Sequence, residues 1–444
     1  MNQGDFILTL QAILVLACIL IGARYSGIAL GLAGILGLAI LVFVFGCKPA
    51  SAPINVVFII MAITCLAASM QAAGGLDYMV NIAERILRKH PKHITFLAPI
   101  VCFVSVMLTG TSYVAMALYP VICEVALEAK IRVERPLSIA VIASQHAISA
   151  SPVSAATAAL IAVLAVKGVS LGQIMLVLIP GVFIGCMIGA FSVLKRGKEL
   201  EDDPEFQRRL REGELEAVAS KTATYVPTKT AKLSVWLFLV AVVMIVTLGS
   251  FPSLLPSWES GGKVTRLSIP VVIQFFGFGF SFLMIAICRI KPDSVIKASV
   301  FGAGMVVVIA TFGIAWMADT FFAAHSSEFI GAIGELVQEF PALFCLMVFV
   351  LAILLQSQGA TTQTIMPIGM ALGLPVSAIV GAAPAVNSIF FLPCSGSMIA
   401  GMMFDRSGTT KIGRWIVDHS FMFPGLVSNI CSIAICWFFA SLIF

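Results

Sequence analysis

The chain has 444 residues, of which 60% are apolar and only 11% charged, and its mean hydropathy is +1.05. Soluble domains carry about 25% charged residues, so this composition excludes a soluble globular protein and defines an all-α, polytopic membrane protein. The formal net charge of +5 gives no case for a nucleic-acid partner, because the basic residues lie in loops beside apolar segments.

Phe6 to Ala23 is the first apolar stretch. It lacks a basic leader and runs straight into the next stretch, so it reads as a membrane helix, not a cleaved signal. Further stretches near the ~20 residues needed to cross follow at 28–47, 54–73, 137–166, 172–194, 233–252, 268–288, 298–318, 375–404 and 421–443. Two regions, 94–127 and 342–374, break near their centres into halves too short to cross and read as re-entrant hairpins. Pro91 and Pro341 precede them. The hydrophilic segment 195–232 mixes acidic and basic residues and reads as a solvated cytoplasmic linker with a short surface helix. The cysteines, eleven in all, form no CxxC or Cys/His cluster, so they read as packing residues.

Orientation follows from the basic residues. With the N-terminus outside and both hairpins returning to their own side, only Lys48, Lys167, Lys263 and Arg266 lie outside. That leaves 23 of the 27 basic residues on the cytoplasmic face. Five crossings then precede the linker and five follow it, so the second half enters the membrane upside down. The expected organisation is a first repeat at 1–194, the linker at 195–232, and an inverted second repeat at 233–444. The segment 79–92 is basic, and its counterpart 319–340 has no Lys or Arg, as an external segment allows.

Polar residues interrupt the apolar segments at four points, matched between the halves. The first hairpin offers Thr109, Gly110, Thr111 and Ser112; the second offers Ser357, Gln358, Gly359, Thr361 and Thr362. The crossing at 137–166 breaks at Ser149, Ser151 and Pro152, and that at 375–404 at Asn387, Pro393 and Ser395. Lipid cannot satisfy a broken backbone, so such breaks belong beside a polar cavity. Paired interruptions in two halves point to a transporter's midplane site. Hydroxyls, amides and helix N-termini suit an anion, and two opposed sets suit a small dianion. Interhelical hydrogen bonding is the alternative role for any one of these residues, but four clusters in register within two halves favour the substrate site. His146 lies one turn before the first break and is a candidate proton carrier or carboxylate partner. No nucleophile, metal set, cofactor motif or nucleotide-binding loop is present, which speaks against an enzyme.

At these residues the chain resembles the anaerobic C4-dicarboxylate transporter (Dcu) family, in particular its DcuA/DcuB branch. The resemblance rests on Gln71-Ala72-Ala73-Gly74-Gly75-Leu76-Asp77, Thr109-Gly110-Thr111, Glu134-Arg135-Pro136 and Ser149-Ala150-Ser151-Pro152. It continues at Gly313-Ile314-Ala315-Trp316 and Phe404-Asp405-Arg406-Ser407-Gly408-Thr409-Thr410. It implies a bacterial inner-membrane carrier for fumarate, succinate, malate or aspartate, working by exchange or cation-coupled uptake, of elevator type and often a homodimer. A membrane sensor kinase is the further partner it implies, and another small organic anion is the alternative substrate. The chain departs from the family pattern at Gly110-Thr111-Ser112 and at Cys394-Ser395-Gly396.

Overall fold

The computed structural model describes residues 3–25, 28–213, 226–260, 263–325, 339–340, 342–393, 395–413 and 417–444. The expected acidic segment 319–340 lies largely outside these residues, as do Pro341 and Cys394.

The described residues form nineteen α-helices. The first half holds α1 (Gln3–Tyr25), α2 (Ala29–Phe43), α3 (Ile54–Ala72), α4 (Gly75–Lys89), α5 (Ile94–Thr109), α6 (Tyr113–Glu128), α7 (Glu134–Ser149), α8 (Ala155–Leu164) and α9 (Leu171–Val193). After the short α10 (Pro204–Arg211) come α11 (Lys229–Ser250), α12 (Ile269–Ile287), α13 (Pro292–Ile296) and α14 (Ser299–Ala324). The chain ends with α15 (Ala342–Leu355), α16 (Gln358–Ala371), α17 (Val376–Ala382), a 3-10 stretch at Ala383–Phe391, α18 (Gly396–Phe404) and α19 (Met422–Ile443). Among the described residues, six helices are long and apolar enough to cross a membrane, or up to eight if two bent pairs each count as one span, fewer than the ten crossings expected; one of the six, Pro91–Thr109, is the first limb of the region at 94–127, which the sequence had split into halves too short to cross. Their outward faces suit lipid: Leu176, Phe275, Phe282, Ile430 and Phe438 are all exposed. A two-stranded hairpin, β1 (Ser257–Ser260) with β2 (Lys263–Arg266), joins α11 to α12; nothing in the sequence reading anticipated it.

Two packed groups organise these helices. In one, α2 lies against α14 and α3 against α12, with α1 beside α2 and α11 beside α12. The α2–α14 crossing brings backbones together, because a Cβ on Gly31 would meet Ile309 O and one on Gly313 would meet Gly31 O. Small residues at a membrane helix crossing exist for this approach. In the second group, α9 and α19 form the central pair. Gly181, Gly185 and Gly189 of α9 face Cys436, Ser432 and Ser428 of α19 at four-residue intervals. Around them α5 packs on α7, the 3-10 stretch on α15, α8 on α16, and α6 on α18. The pairing of α5 with α7 is matched by that of α15 with the 3-10 stretch, and the pairing of α8 with α16 by that of α6 with α18.

The two apolar regions at 94–127 and 342–374 each turn back on themselves. At the first turn, α5 ends at Thr109 and Gly110 adopts φ +71°; at the second, α15 ends at Leu355 and Gln356 adopts φ +49°. In both, the limbs pack side by side. The crossings at 137–166 and 375–404 are interrupted where Ser/Pro and Pro/Ser sequences leave helix geometry.

The linker is docked at its start, where only a solvated run is expected from its charge. Asp203 caps α10 by accepting from the N–H groups of Glu205 and Phe206, both at 3.0 Å. Its other oxygen accepts from Arg132 Nη1 at 2.5 Å. Arg132 also donates to Glu134 at 2.7 Å, and Ser420 donates to the second Glu134 oxygen at 2.8 Å. Thr409 accepts from the Glu134 N–H, while Asp405 gathers Ser407, Thr409 and Thr410. Two of the motifs that carry the family resemblance thus close the same end of the second helix group.

Candidate substrate site

One cavity of about 480 Å³ lies between the two helix groups, a size typical of small-ligand sites. One wall is apolar and comes from α3 and α14, including Ile59, Ile63, Ala67, Ala303 and Val307. The other is polar and is built from the two hairpin tips and the two broken helices.

Four helices begin at that polar wall. Ser112 and Tyr113 open α6, Ser154 and Ala155 open α8, Ser357 and Gln358 open α16, and Ser395 and Gly396 open α18; all line the cavity. Three of these serines are N-caps: Ser154 accepts from Thr157 N, Ser357 from Ala360 N, and Ser395 from Met398 N. A hydroxyl that accepts a cap bond keeps its own proton to give, and the Ser357 and Ser395 protons are free to face the cavity. A helix N-terminus presents unpaired N–H groups and the positive end of its dipole. Among the described residues, no Asp, Glu, Lys, Arg or His lines the cavity. Its electrostatic character therefore comes from four dipoles and a set of hydroxyls, which favours an anion.

The residues singled out in the sequence fall into two sets. Thr109, Gly110, Thr111, Ser112, Ser357, Gln358, Gly359 and Ser395 line the cavity. The Thr109 hydroxyl is spent on Ser105 O at 2.8 Å. Ser149, Ser151, Pro152, Thr361, Thr362, Asn387, Pro393 and His146 do not line it. Thr361 and Thr362 donate to Ser357 O and Gln358 O one turn back along α16. Pro152 and Pro393 sit in the turns that release the helices.

Asn387 and Ser149 form a brace behind the wall. Gln358 Nε2 donates to Gln145 O at 2.7 Å and to Asn387 Oδ1 at 2.6 Å. Asn387 Nδ2 donates to Ser149 Oγ at 2.9 Å, which donates to His146 O at 2.8 Å. Both Gln358 N–H groups are consumed, so only its carbonyl oxygen is left for the cavity. The side chain positions α16; it does not donate to an anion. His146 is fully buried, with Nδ1 3.0 Å from Ile142 O and its ring stacked against Phe390.

Sequence reasoning did not single out Tyr119. Its hydroxyl lies 2.9 Å from Ser144 Oγ and 2.5 Å from Ser397 Oγ, tying α6 and α7 to the start of α18. A lone buried tyrosine in an apolar helix carries little sequence signal, though a buried Tyr hydroxyl almost always seeks a partner.

Two packed helix groups, broken helices and a dipole-lined cavity between them define a membrane transporter, and the comparisons with known proteins agree. Residues 7–444 match the family described as anaerobic C4-dicarboxylate membrane transporter. The anaerobic C4-dicarboxylate transporter DcuB of Escherichia coli O6:H1 is 40% identical over 444 residues, covering 98% of each chain. The C4-dicarboxylate transporter DcuA of Wolinella succinogenes is 37% identical, covering 96% of this chain and 98% of its own. DcuA of Escherichia coli K12 is 36% identical, covering 97% and 98%. The chain belongs to the anaerobic C4-dicarboxylate membrane transporter family, a family of multi-pass membrane carriers and not of enzymes.

Proposed function

We propose that this chain carries C4-dicarboxylates across the bacterial inner membrane through alternating access of the cavity between α3/α14 and the hairpin tips. The observation that carries this reading is the convergence of four helix N-termini on one charge-free cavity. A C4-dicarboxylate has a carboxylate at each end, and the four starts come as two from each half of the chain. The free hydroxyls of Thr111, Ser112, Ser357 and Ser395 supply further donors.

The mechanism is an elevator in an inverted repeat. The group holding α2, α3, α12 and α14 stays fixed, and the group built on α9 and α19 moves against it with the substrate. Symmetry between the halves predicts equivalent contacts across the seam, yet α8 and α16 pack on α3 and α14 while α6 and α18 make no comparable contact. Under the orientation set by the basic residues, α8 and α16 occupy the outer half of the membrane. Their contact closes the outer route, and the cavity runs from the midplane towards Leu30 and Val300 at the inner ends of α2 and α14. That asymmetry supports an inward-facing state.

Counterflow tests the function. Proteoliposomes preloaded with unlabelled succinate should accumulate labelled fumarate transiently and saturably. Absence of the overshoot at normal protein levels would exclude an exchanging carrier. The orientation is tested at Leu210, which is exposed on α10. In a cysteine-free background, Leu210→Cys should resist an impermeant thiol reagent added outside intact cells, and labelling there would remove the inverted arrangement.

Two hydroxyls make the dianion reading specific. A hydrogen bond to a charged group contributes about 1.5–3 kcal/mol, so Thr111→Val and Ser395→Ala should each weaken dicarboxylate binding about tenfold. Substrate protection against thermal unfolding measures this, and unchanged protection in both variants would put the anion elsewhere.

A further inference from the structure

Among the described residues, three glutamines line the cavity between the helix groups, and two of them turn amide atoms into it. Gln358 is fixed by its partners. Only a nitrogen can meet the Gln145 carbonyl at 2.7 Å, so the Gln358 oxygen is the end left open. Gln356 spends its nitrogen on Ile353 O at 2.8 Å, and its oxygen is enclosed by protein. Gln145 differs from both. It is 5% exposed, lines the cavity and makes no side-chain hydrogen bond among the described residues. Both ends of its amide are open to the cavity.

Buried polar groups are almost always paired, and one left open marks a functional site or an absent ligand. Gln145 comes from α7 and Gln358 from the start of α16. The bond from the Gln358 side chain to the Gln145 backbone sets the two residues side by side.

This pair breaks the symmetry of the site. Each half of the chain gives two helix starts to the polar wall, a balanced frame for two carboxylates. The tip of the first hairpin, Thr109-Gly110-Thr111-Ser112, has no amide side chain. Asn387, the amide beside the second break, is engaged at both ends by Gln358 and Ser149. A dianion with a plain carbon backbone leaves the open amide atoms of Gln145 and Gln358 facing carbon.

We infer that Gln145 and Gln358 form a subsite for a hydroxyl on the second carbon of the substrate, so that the carrier selects 2-hydroxy C4-dicarboxylates. The inference rests on the carrier reading above and deepens it. A hydroxyl offers one proton and two lone pairs. Its proton goes to the Gln358 oxygen, and its oxygen accepts from Gln145 Nε2. The two carboxylates remain with the helix starts and the wall hydroxyls. A methylene or vinylic carbon at that position satisfies neither amide. An ammonium offers three protons and no acceptor. No carboxylate among the described lining residues balances its charge, and a charge left unpaired away from water is costly. A site built for a hydroxyl therefore ranks the unsubstituted and the amino acid below the hydroxy acid.

Proteoliposomes containing the full chain test this by counterflow of labelled succinate, competed by unlabelled succinate, each enantiomer of malate, and aspartate. One malate enantiomer should compete about tenfold better than succinate, the yield of two neutral hydrogen bonds, and also better than aspartate. Gln145→Leu removes both amide ends, so the ratio of malate to succinate affinity should fall about fivefold. Gln145→Met, unbranched like glutamine, should lower the ratio equally and serves if the leucine variant fails to insert. Substrate protection against thermal unfolding in detergent reads the same ratio in a variant that binds without transporting. The inference is overturned if succinate competes as well as both malate enantiomers, or if aspartate competes as well as the better one. It is also overturned if the Gln145 variants weaken every substrate alike and leave the ratio unchanged. Failure of wild-type counterflow with every C4 acid is a separate result and would remove the carrier reading itself.

Discussion

Gly110→Val should leave the protein in the membrane and abolish exchange. Gly110 ends α5 at φ +71°, where a Cβ would also stand 2.8 Å from Val153 O. The left-handed conformation costs an ordinary residue about 1–2 kcal/mol, and a β-branched one is the worst suited to it. The first hairpin tip must then move away from the 151–154 turn, withdrawing the start of α6 with Thr111 and Ser112. Two hydrogen bonds to a charged substrate are worth about 3–6 kcal/mol together, so affinity should fall about a hundredfold or more. Gly110→Asn separates the causes, because asparagine tolerates the conformation but keeps the Val153 contact. Near-normal exchange in Gly110→Val would mean that the tip does not shape the site.

Arg132→Ala should produce the largest loss of stability. Its guanidinium is 5% exposed and binds Glu134 and Asp203. Removing one partner of a buried ion pair costs about 3–5 kcal/mol, because the remaining charge is left uncompensated. Thermal unfolding in detergent should move down markedly, and protease should cut near α10. The pH dependence has a defined sign. Burial raises the Asp203 pKa, but the Phe206 N–H and the Arg132 guanidinium outweigh it and hold the carboxyl below its usual range. Such a group contributes its stability fully above the unfolded pKa of about 3.9 and loses it as the pH falls through the folded value. Docking of the linker should therefore persist from neutral pH down to about pH 4 and fail below it. A midpoint of release near neutrality would assign docking to other groups.

The scaffold was legible because membrane segments leave few ways to hide a broken backbone. Polar residues at 109–112, 149–152, 356–362 and 393–397 announced the turns that now bound the cavity. Roles within the turns were less legible. Gln358 looks like a donor in sequence, but its donors are claimed by Gln145 and Asn387, a pairing across distant segments. His146 and Ser149 each directly follow a cavity-lining residue, Gln145 and Ile148, yet point into packing, because a helix face is set by its neighbours and not by its distance from a break. The end of α14 was also misplaced: the hydropathy falls at Asp319 while the helix runs on to Ala324. The docking of α10 depends on Arg132 and Glu134, seventy residues earlier, and charge patterning alone says nothing of it.

A cavity with no charged side chain also fixes how the membrane potential acts on the carrier. In the elevator proposed above, the empty moving group would bring no charge of its own from the site, whereas one loaded with a dianion would bring two. Moving two charges through about 100 mV involves about 4.6 kcal/mol. Exchange of one dianion for another moves no net charge, so an interior-negative voltage should leave it untouched. Uptake of a dianion alone would run against that voltage, and two accompanying protons would cancel the opposition.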